Sequence, residues 1–385
     1  MLTGGSIIYH RLAGSHLPDV PWYLLLGVLI GPVGHVVRVG MNTASFDFLL
    51  QLGALFVLFE GGRGLPLTAL KSVWSSVASL ASLGVLISVA VMALVSHFVL
   101  HLPSPLGIML GILLANTDPA SVIPIMNTLN LPGAIRTTVE AESAFNDVVS
   151  AVLIGVATTY IIPSAAPRSI IHVTLAVLTS IGLALVVGGL AGRIGSYLMR
   201  ITTQPFFVIY MVVPVVIWGM SHLLSLNIYL AAFVAGLLWS RRGGVALDVQ
   251  WVASVGAIAR MMVFIGLGMS LPMVTLRERG LMGLALALIL IFVSRPLTVM
   301  GALRWLRRWT PRQLALMMWV RESGVISAAL AVHVAKQFPE WRAEILAPVF
   351  VAILITVGVQ APTTSWVARR LGFKEDARIL PERRP

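Results

Sequence analysis

The acids at membrane depth in this chain are Asp118, Glu140, Glu142, Asp147 and Glu322, with Glu60 at the end of another apolar stretch. A carboxylate there is expensive and marks a site by default. The densest group is Glu142-Ser143-Ala144-Phe145-Asn146-Asp147, in which Ser143 and Asp147 are i,i+4 on one helical face and Glu142 and Asn146 on an adjacent one. One helix thus presents two carboxylates in different directions. An alkali cation is a hard ion that takes oxygen ligands, and Asp147, Ser143, Asp118 and an opened backbone at Thr117 offer such a set. The same carboxylate can hold a proton instead, so cation and proton would compete for one site.

The elements that must position these residues are membrane spans. With 385 residues, 58% of them hydrophobic and 11% charged, and a mean hydropathy of +0.93, the chain has too few charges to cover a water-soluble surface. Apolar stretches fall near 1–13, 21–39, 46–61, 73–100, 105–129, 133–161, 168–195, 204–223, 227–240, 249–273, 280–303, 313–335 and 343–368. They predict an all-α integral membrane protein of about thirteen transmembrane helices, or twelve if 1–13 does not span.

Two stretches are interrupted by polar patches, Asn116-Thr117-Asp118-Pro119-Ala120-Ser121 and Arg321-Glu322-Ser323-Gly324. Pro119 removes a helix hydrogen bond, and the polar side chains offer the freed backbone groups alternatives. In lipid such breaks survive only where they line a cavity or are buried in protein. The patches lie about 204 residues apart, each in the middle member of a three-helix run. An odd number of helix steps separates the runs, so they enter the membrane in opposite directions, the layout of an inverted repeat with two broken crossing helices. This layout predicts one transmembrane domain over 1–385, with the inverted runs at 73–161 and 280–368, the remaining helices at 1–61 and 204–273, and a linking helix at 168–195. The tail after Leu371 has only 14 residues, so no soluble regulatory domain is expected.

Sorted by alternate loops, 18 of the 27 Lys and Arg fall on one side and 6 on the other, while Arg260, Arg295 and Arg321 lie inside apolar stretches. The positive-inside rule makes the richer side, which includes the C-terminus, cytoplasmic. The net charge of +12 is thereby accounted for as a topogenic signal with affinity for anionic membrane lipid, and needs no nucleic-acid partner. The absence of Cys excludes disulfides and thiolate-ligated metals. No histidine pair has metal-ligand spacing beside an acid cluster, and His333 reads as an interfacial residue. The opening segment lacks the features of a signal peptide, and no phosphate-binding glycine loop appears, so no cofactor and no nucleotide drive are expected.

The run Leu58-Phe59-Glu60-Gly61-Gly62, then Asn116-Thr117-Asp118-Pro119-Ala120-Ser121-Val122, then Glu142-Ser143 with Asn146-Asp147, then Arg295-Pro296-Leu297 resembles the sodium/proton antiporter branch of the cation:proton antiporter superfamily over nearly the whole chain. The Asn146-Asp147 pair is similar to that of the electroneutral exchangers, whereas electrogenic relatives carry two adjacent aspartates. The resemblance implies that Asp147 carries the ion or proton, with Asp118, Ser143 and the Thr117 main chain completing the ion shell. It also implies that Asn146 holds the crossing helices by hydrogen bonds, that Glu142 pairs with Arg295, and that Glu60 faces the ion cavity from the scaffold. The chain departs from the pattern at Val320-Arg321-Glu322-Ser323-Gly324, where relatives often read Gly-Leu-Arg-Gly. Arg321 then either compensates helix ends at the crossing or neutralises the additional acid Glu322. Glu140 reads as an i,i+4 partner of Arg136.

Taken together, these residues and the resemblance imply a secondary monovalent cation/proton antiporter and not an enzyme, exchanging Na⁺ (or Li⁺ or K⁺) for H⁺ one for one by alternating access. The resemblance makes 73–161 and 280–368 the ion-transporting core of one exchanger domain and 1–61 and 204–273 its scaffold and dimerisation helices, and implies a homodimer in a bacterial inner membrane. The alternatives are a K⁺/H⁺ antiporter of the same fold and a gated cation channel; an intramembrane hydrolase has no Ser/His or paired-Asp signature to support it.

Overall fold

The computed structural model describes residues 18–34, 44–65, 67–118, 122–127, 129–161, 170–201, 206–221, 223–239, 249–271 and 273–373, and every regular element among them is a helix. The stretch 1–13, Pro119-Ala120-Ser121, Arg241 and Arg242 lie outside the described residues. In chain order the helices are α1 (Val20–Val28), α2 (Ala44–Gly64), α3 (Leu67–Ser79), α4 (Val85–Phe98), α5 (Ser104–Ala115), α6 (Val122–Asn127), α7 (Gly133–Ile161), α8 (Ile170–Ile201) and α9 (Phe206–Ser221). They continue with α10 (Ile228–Leu238), α11 (Val249–Ser270), α12 (Met273–Ile289), α13 (Arg295–Leu303), α14 (Pro311–Trp319), α15 (Val325–Gln337), α16 (Arg342–Ile355) and α17 (Ala361–Arg370). Several pairs form single rods through a wide π turn: α3 to α4 at Leu80–Gly84, α12 to α13 at Leu290–Ser294, and α16 to α17 at Thr356–Gln360. Counted as rods, the described helices make twelve traverses, matching the second to thirteenth apolar stretches.

The inverted repeat is visible in the rods. The run α3/α4, α5+α6, α7 corresponds to α12/α13, α14+α15, α16/α17, and the middle member of each is broken as the polar patches predict. The first rods of both runs also carry a π turn in the corresponding place, a likeness invisible in Leu80-Ala81-Ser82-Leu83-Gly84 and Leu290-Ile291-Phe292-Val293-Ser294. These turns meet: α13 packs on the Leu80–Gly84 turn, Ser88 and Ser294 share a hydrogen bond of 3.0 Å, and Ser79 Oγ donates to the Ala302 carbonyl at 2.7 Å.

Most contacts fall within two groups of helices. One joins the two runs. In the other, α10 lies between α2 and α8 while α11 packs on α1 and α2. The second group is assembled through small residues, since a Cβ added to Gly62, Gly188, Gly192 or Gly236 would strike the backbone of the facing helix. The groups meet where α15 touches α2 and α11 and where α7 touches α10. Outward-facing Ile171, Leu175, Leu178, Leu185, Val186, Leu190 and Ile194 line α8, an apolar face suited to lipid rather than to water.

Candidate functional site

The site forms where the two broken helices pass each other. α5 stops at Ala115, Asn116 is extended (φ −59°, ψ 144°), and the chain resumes as a helix at Val122. Opposite it, α14 stops at Trp319 and α15 begins at Val325 after an extended Gly324 (φ −125°, ψ −158°). The two open segments bond directly, the Asp118 N–H donating to the Glu322 carbonyl at 2.8 Å.

A broken helix exposes the carbonyls at the end of its first half and the N–H groups at the start of its second. Both carbonyl ends here are met by arginine. Arg321 Nη2 donates to the Leu114 and Asn116 carbonyls at the end of α5, and Arg295 donates from Nε to Met317 O at 3.0 Å and from Nη2 to Val320 O at 3.2 Å at the end of α14. Each guanidinium thereby places positive charge at the negative end of a half-helix. Arg295 is also held by Glu142 through two contacts, Nη1 to Oε1 and Nη2 to Oε2, the latter at 3.0 Å; the residues are only 2% and 1% exposed. That bidentate arrangement is the one in which two buried charges offset their desolvation. Of the two roles open to Arg321, its hydrogen bonds are those of a helix-end compensator.

The N–H end of α15 is met by an acid. Asp118 Oδ2 accepts from the Val325 N–H at 3.4 Å, and the Asp118 side chain fills the space that a Cβ on Gly324 would take. Glycine is required at 324 for this close approach rather than for its dihedral freedom, because the extended conformation is open to any residue.

On α7, Ser143 Oγ donates to the Thr117 carbonyl, while Asn146 Nδ2 reaches Thr117 Oγ1 and Glu142 Oε1, both at 3.4 Å. Asn146 therefore ties the first open segment to the helix that carries the acids. Asp147 lies deep in the bundle within electrostatic reach of Asp118, yet keeps an accessible edge, unlike the closed Glu142. Thr117, Ser143, Asp118 and Asp147 thus gather hydroxyl, carbonyl and carboxylate oxygens where α7 meets the first break, the donor set a monovalent cation needs. A cavity of about 10 Å³, near the size of one water, is lined by Thr117, Asp118, Glu142, Arg295, Arg321 and Glu322 together with Val122, Val139 and Val320.

Asp147 and Ser143 are not among those walls, and neither is Glu60. Its carboxylate packs against Gly256 of α11, within electrostatic reach of Arg260 and Arg63, inside the second helix group. Glu140 faces Arg136. Two residues of the site, Thr356 and Gln360, escape sequence reasoning, and Asn116, legible only as part of the polar patch, is buried in it. Thr356 Oγ1 accepts from the Ser323 N–H at 3.0 Å, Gln360 Nε2 donates to the Trp319 carbonyl at 2.5 Å, and the fully buried Asn116 amide has no hydrogen-bond partner among the described residues. Thr356 and Gln360, four apart in an otherwise apolar stretch, carry a signal that could have found them.

Inverted runs crossed by two broken helices, with an accessible carboxylate beside the break, define a secondary transporter. The chain belongs to the sodium/hydrogen exchanger family: residues 1–370 match the family described as "Sodium/hydrogen exchanger, transmembrane", and the protein is accordingly an integral, multi-pass membrane protein. It is similar to Na(+)/H(+) antiporter 1 of Methanocaldococcus jannaschii, 28% identical with 93% of this chain and 88% of that one covered. It is also similar to K(+)/H(+) antiporter NhaP of Alkalimonas amylolytica, 27% identical over 91% of this chain and 62% of that one. The solved structure of the sodium proton antiporter MjNhaP1 from Methanocaldococcus jannaschii superposes with a TM-score of 0.82 at 25% identity, covering 96% of each chain.

Proposed function

We propose that this protein exchanges Na⁺ for H⁺ across a bacterial inner membrane, one for one. The observation that carries the reading is the meeting of Asp147, Asp118, Ser143 and the Thr117 carbonyl at the first helix break. Asp147 takes either the cation or the proton. Ser143 Oγ, whose proton goes to the Thr117 carbonyl, keeps its lone pairs for the ion, and the second lone pair of that carbonyl is open to it as well. Asn146 stays neutral and structural, and the Glu142–Arg295 pair compensates itself, so loading Asp147 with either Na⁺ or H⁺ leaves the same charge in the moving body. An uncompensated charge would feel about 2.3 kcal/mol per 100 mV; an electroneutral cycle feels none.

The moving body in this reading is the core, 73–161 and 280–368, which rocks against the scaffold, 1–61 and 204–273, with 168–195 as the link. Two copies associate through the scaffold, and the C-terminus faces the cytoplasm. K⁺ as the cation is a second reading, favoured by the relative described as a K(+)/H(+) antiporter.

The test is proton flux in liposomes carrying an imposed pH gradient, with Na⁺, Li⁺ or K⁺ added in turn to wild type and Asp147→Asn, voltage being clamped with valinomycin and K⁺ in the Na⁺ and Li⁺ runs. Na⁺-triggered dissipation that vanishes in the variant and ignores voltage is the expected result. Dissipation by K⁺ alone would select the second reading. Flux that persists in Asp147→Asn, or follows voltage, would sink the exchange mechanism and favour a channel.

A further inference from the structure

Two polar contacts that join the two helix groups lie at the ends that the charge distribution assigns to the outside, and a third lies deeper, ten residues in from the outer end of α7. Lys336 Nζ, in the last turn of α15, meets Asp47 Oδ2, in the first turn of α2, at 2.5 Å. Arg342 Nη2, at the start of α16, donates to the Ser270 carbonyl at the end of α11 at 3.1 Å. Asn227 Nδ2, at the N-cap of α10, donates to the Ala151 carbonyl of α7 at 3.4 Å. Of these the first alone is an ion pair. Each of its charges is already favoured on its own helix, acid at an N-terminus and base at a C-terminus, so neither needs the other for its local element. The pair adds a link between groups. Asp47 is the focus of that link, since His333 of α15 and Tyr229 of α10 also lie within its electrostatic reach. His333 is in turn held by Gln337 at 2.8 Å.

From this geometry we infer that Asp47 and Lys336 are positioning residues of the transport cycle: their ion pair latches the outer ends of core and scaffold together and so sets the ratio of inward-access to outward-access states. The inference rests on the proposed movement of core against scaffold. An N···O contact of 2.5 Å does not survive a displacement of several ångströms, so the pair exists in one access state and is absent from the other. A contact made in one state alone shifts the equilibrium by its own free energy. With Lys336 14% and Asp47 34% exposed, the pair is worth about a 2- to 5-fold change in that ratio.

The chain contains no cysteine, so a single reporter thiol can be read without background. Ala151→Cys puts one on the buried face of α7, at the carbonyl that Asn227 holds. Its rate of modification by a membrane-impermeant maleimide from outside, in full-length protein in liposomes, reports how far the two groups part from their outer ends down to this depth of α7, one turn beyond Asp147. Asp47→Asn and Lys336→Gln should each raise that rate about 2- to 5-fold, and the exchanged pair Asp47→Lys with Lys336→Asp should return it toward the starting value. An unchanged rate in both single variants would overturn the inference, as would a raised rate that the exchanged pair does not lower. As a second measurement, Asp47→Cys with Lys336→Cys joined by a cleavable bismaleimide should stop flux until the linker is cut; undiminished flux in the joined protein would refute the latch. Labelling is read without any cation gradient, so failure of the latch is distinguishable from failure of the exchange reading, which the wild-type flux alone decides.

Discussion

The two broken helices serve the same repeat position but differ in what their own residues contribute to the break. The first break, after Ala115, contains a proline. Pro119 lacks the N–H that a continuous helix needs, and the carbonyls ahead of it are met by residues from elsewhere, those of Leu114 and Asn116 by Arg321 and that of Thr117 by Ser143. The second break, after Trp319, contains no proline, and its backbone groups are met by residues from elsewhere. Arg295 takes the carbonyls of Met317 and Val320, Gln360 takes that of Trp319, Thr356 takes the Ser323 N–H, and Asp118 takes the Val325 N–H. Neighbours hold both halves of the crossing open, and the first carries in addition a proline that forbids a continuous helix whatever its neighbours. Of the proposed ion ligands, Thr117 and Asp118 lie in the first break and Ser143 and Asp147 on α7; of the compensating arginines, Arg321 lies in the second break and Arg295 on α13.

That contrast can be broken at its strongest point by Arg295→Met, which strips α14 of its carbonyl partner and leaves Glu142 buried without its countercharge. A loss of about 3–5 kcal/mol is expected, read as the thermal midpoint of detergent-solubilised protein, with much of it recovered by adding Glu142→Gln. Stability unchanged by the single substitution would mean that the second break does not depend on the pair. Gly324→Ala comes next, at about 1–3 kcal/mol, because the new methyl meets the Asp118 side chain; combined with Asp118→Gly the cost should be markedly less than additive. Thr356→Val keeps the shape but leaves the buried Ser323 N–H unpaired, for about 1–3 kcal/mol, and the same melting curve tests it. The smallest effect is expected from Glu140→Gln, a half-exposed acid opposite Arg136 at i,i+4, at about 0.2–0.5 kcal/mol. A Glu140 effect rivalling that of Arg295 would erase the distinction between the buried crossing and the rest of α7.

The crossing also separates two kinds of legibility. Glu142 and Arg295 are 153 residues apart, and in the sequence their pairing is legible through a family resemblance, not through spacing. Arg321 has two roles open to it in the sequence, and only the carbonyls of Leu114 and Asn116, more than 200 residues away, distinguish them. The resemblance puts Glu60 at the ion cavity; in the structure its carboxylate packs on Gly256, with Arg260 and Arg63 within electrostatic reach, and of these only Arg63 is close to it in sequence. The π turns at Leu80–Gly84 and Leu290–Ser294 have no sequence signal, because widening one turn changes neither the apolar character of a span nor its length by more than a residue.

The sequence by itself determined the all-helical membrane fold, the number of traverses among the described residues, their inverted arrangement and the site of the first break. Each of these rests on local quantities: the run length needed to cross hydrocarbon, the charge of short loops, and the missing N–H of a proline. Tertiary structure alone decided which arginine closes which half-helix, why position 324 must be glycine, and which residues face Asp47. Those are questions of partners for buried polar groups, and at membrane depth, where lipid offers no hydrogen bonds, such partners are supplied by whichever helix is adjacent in space.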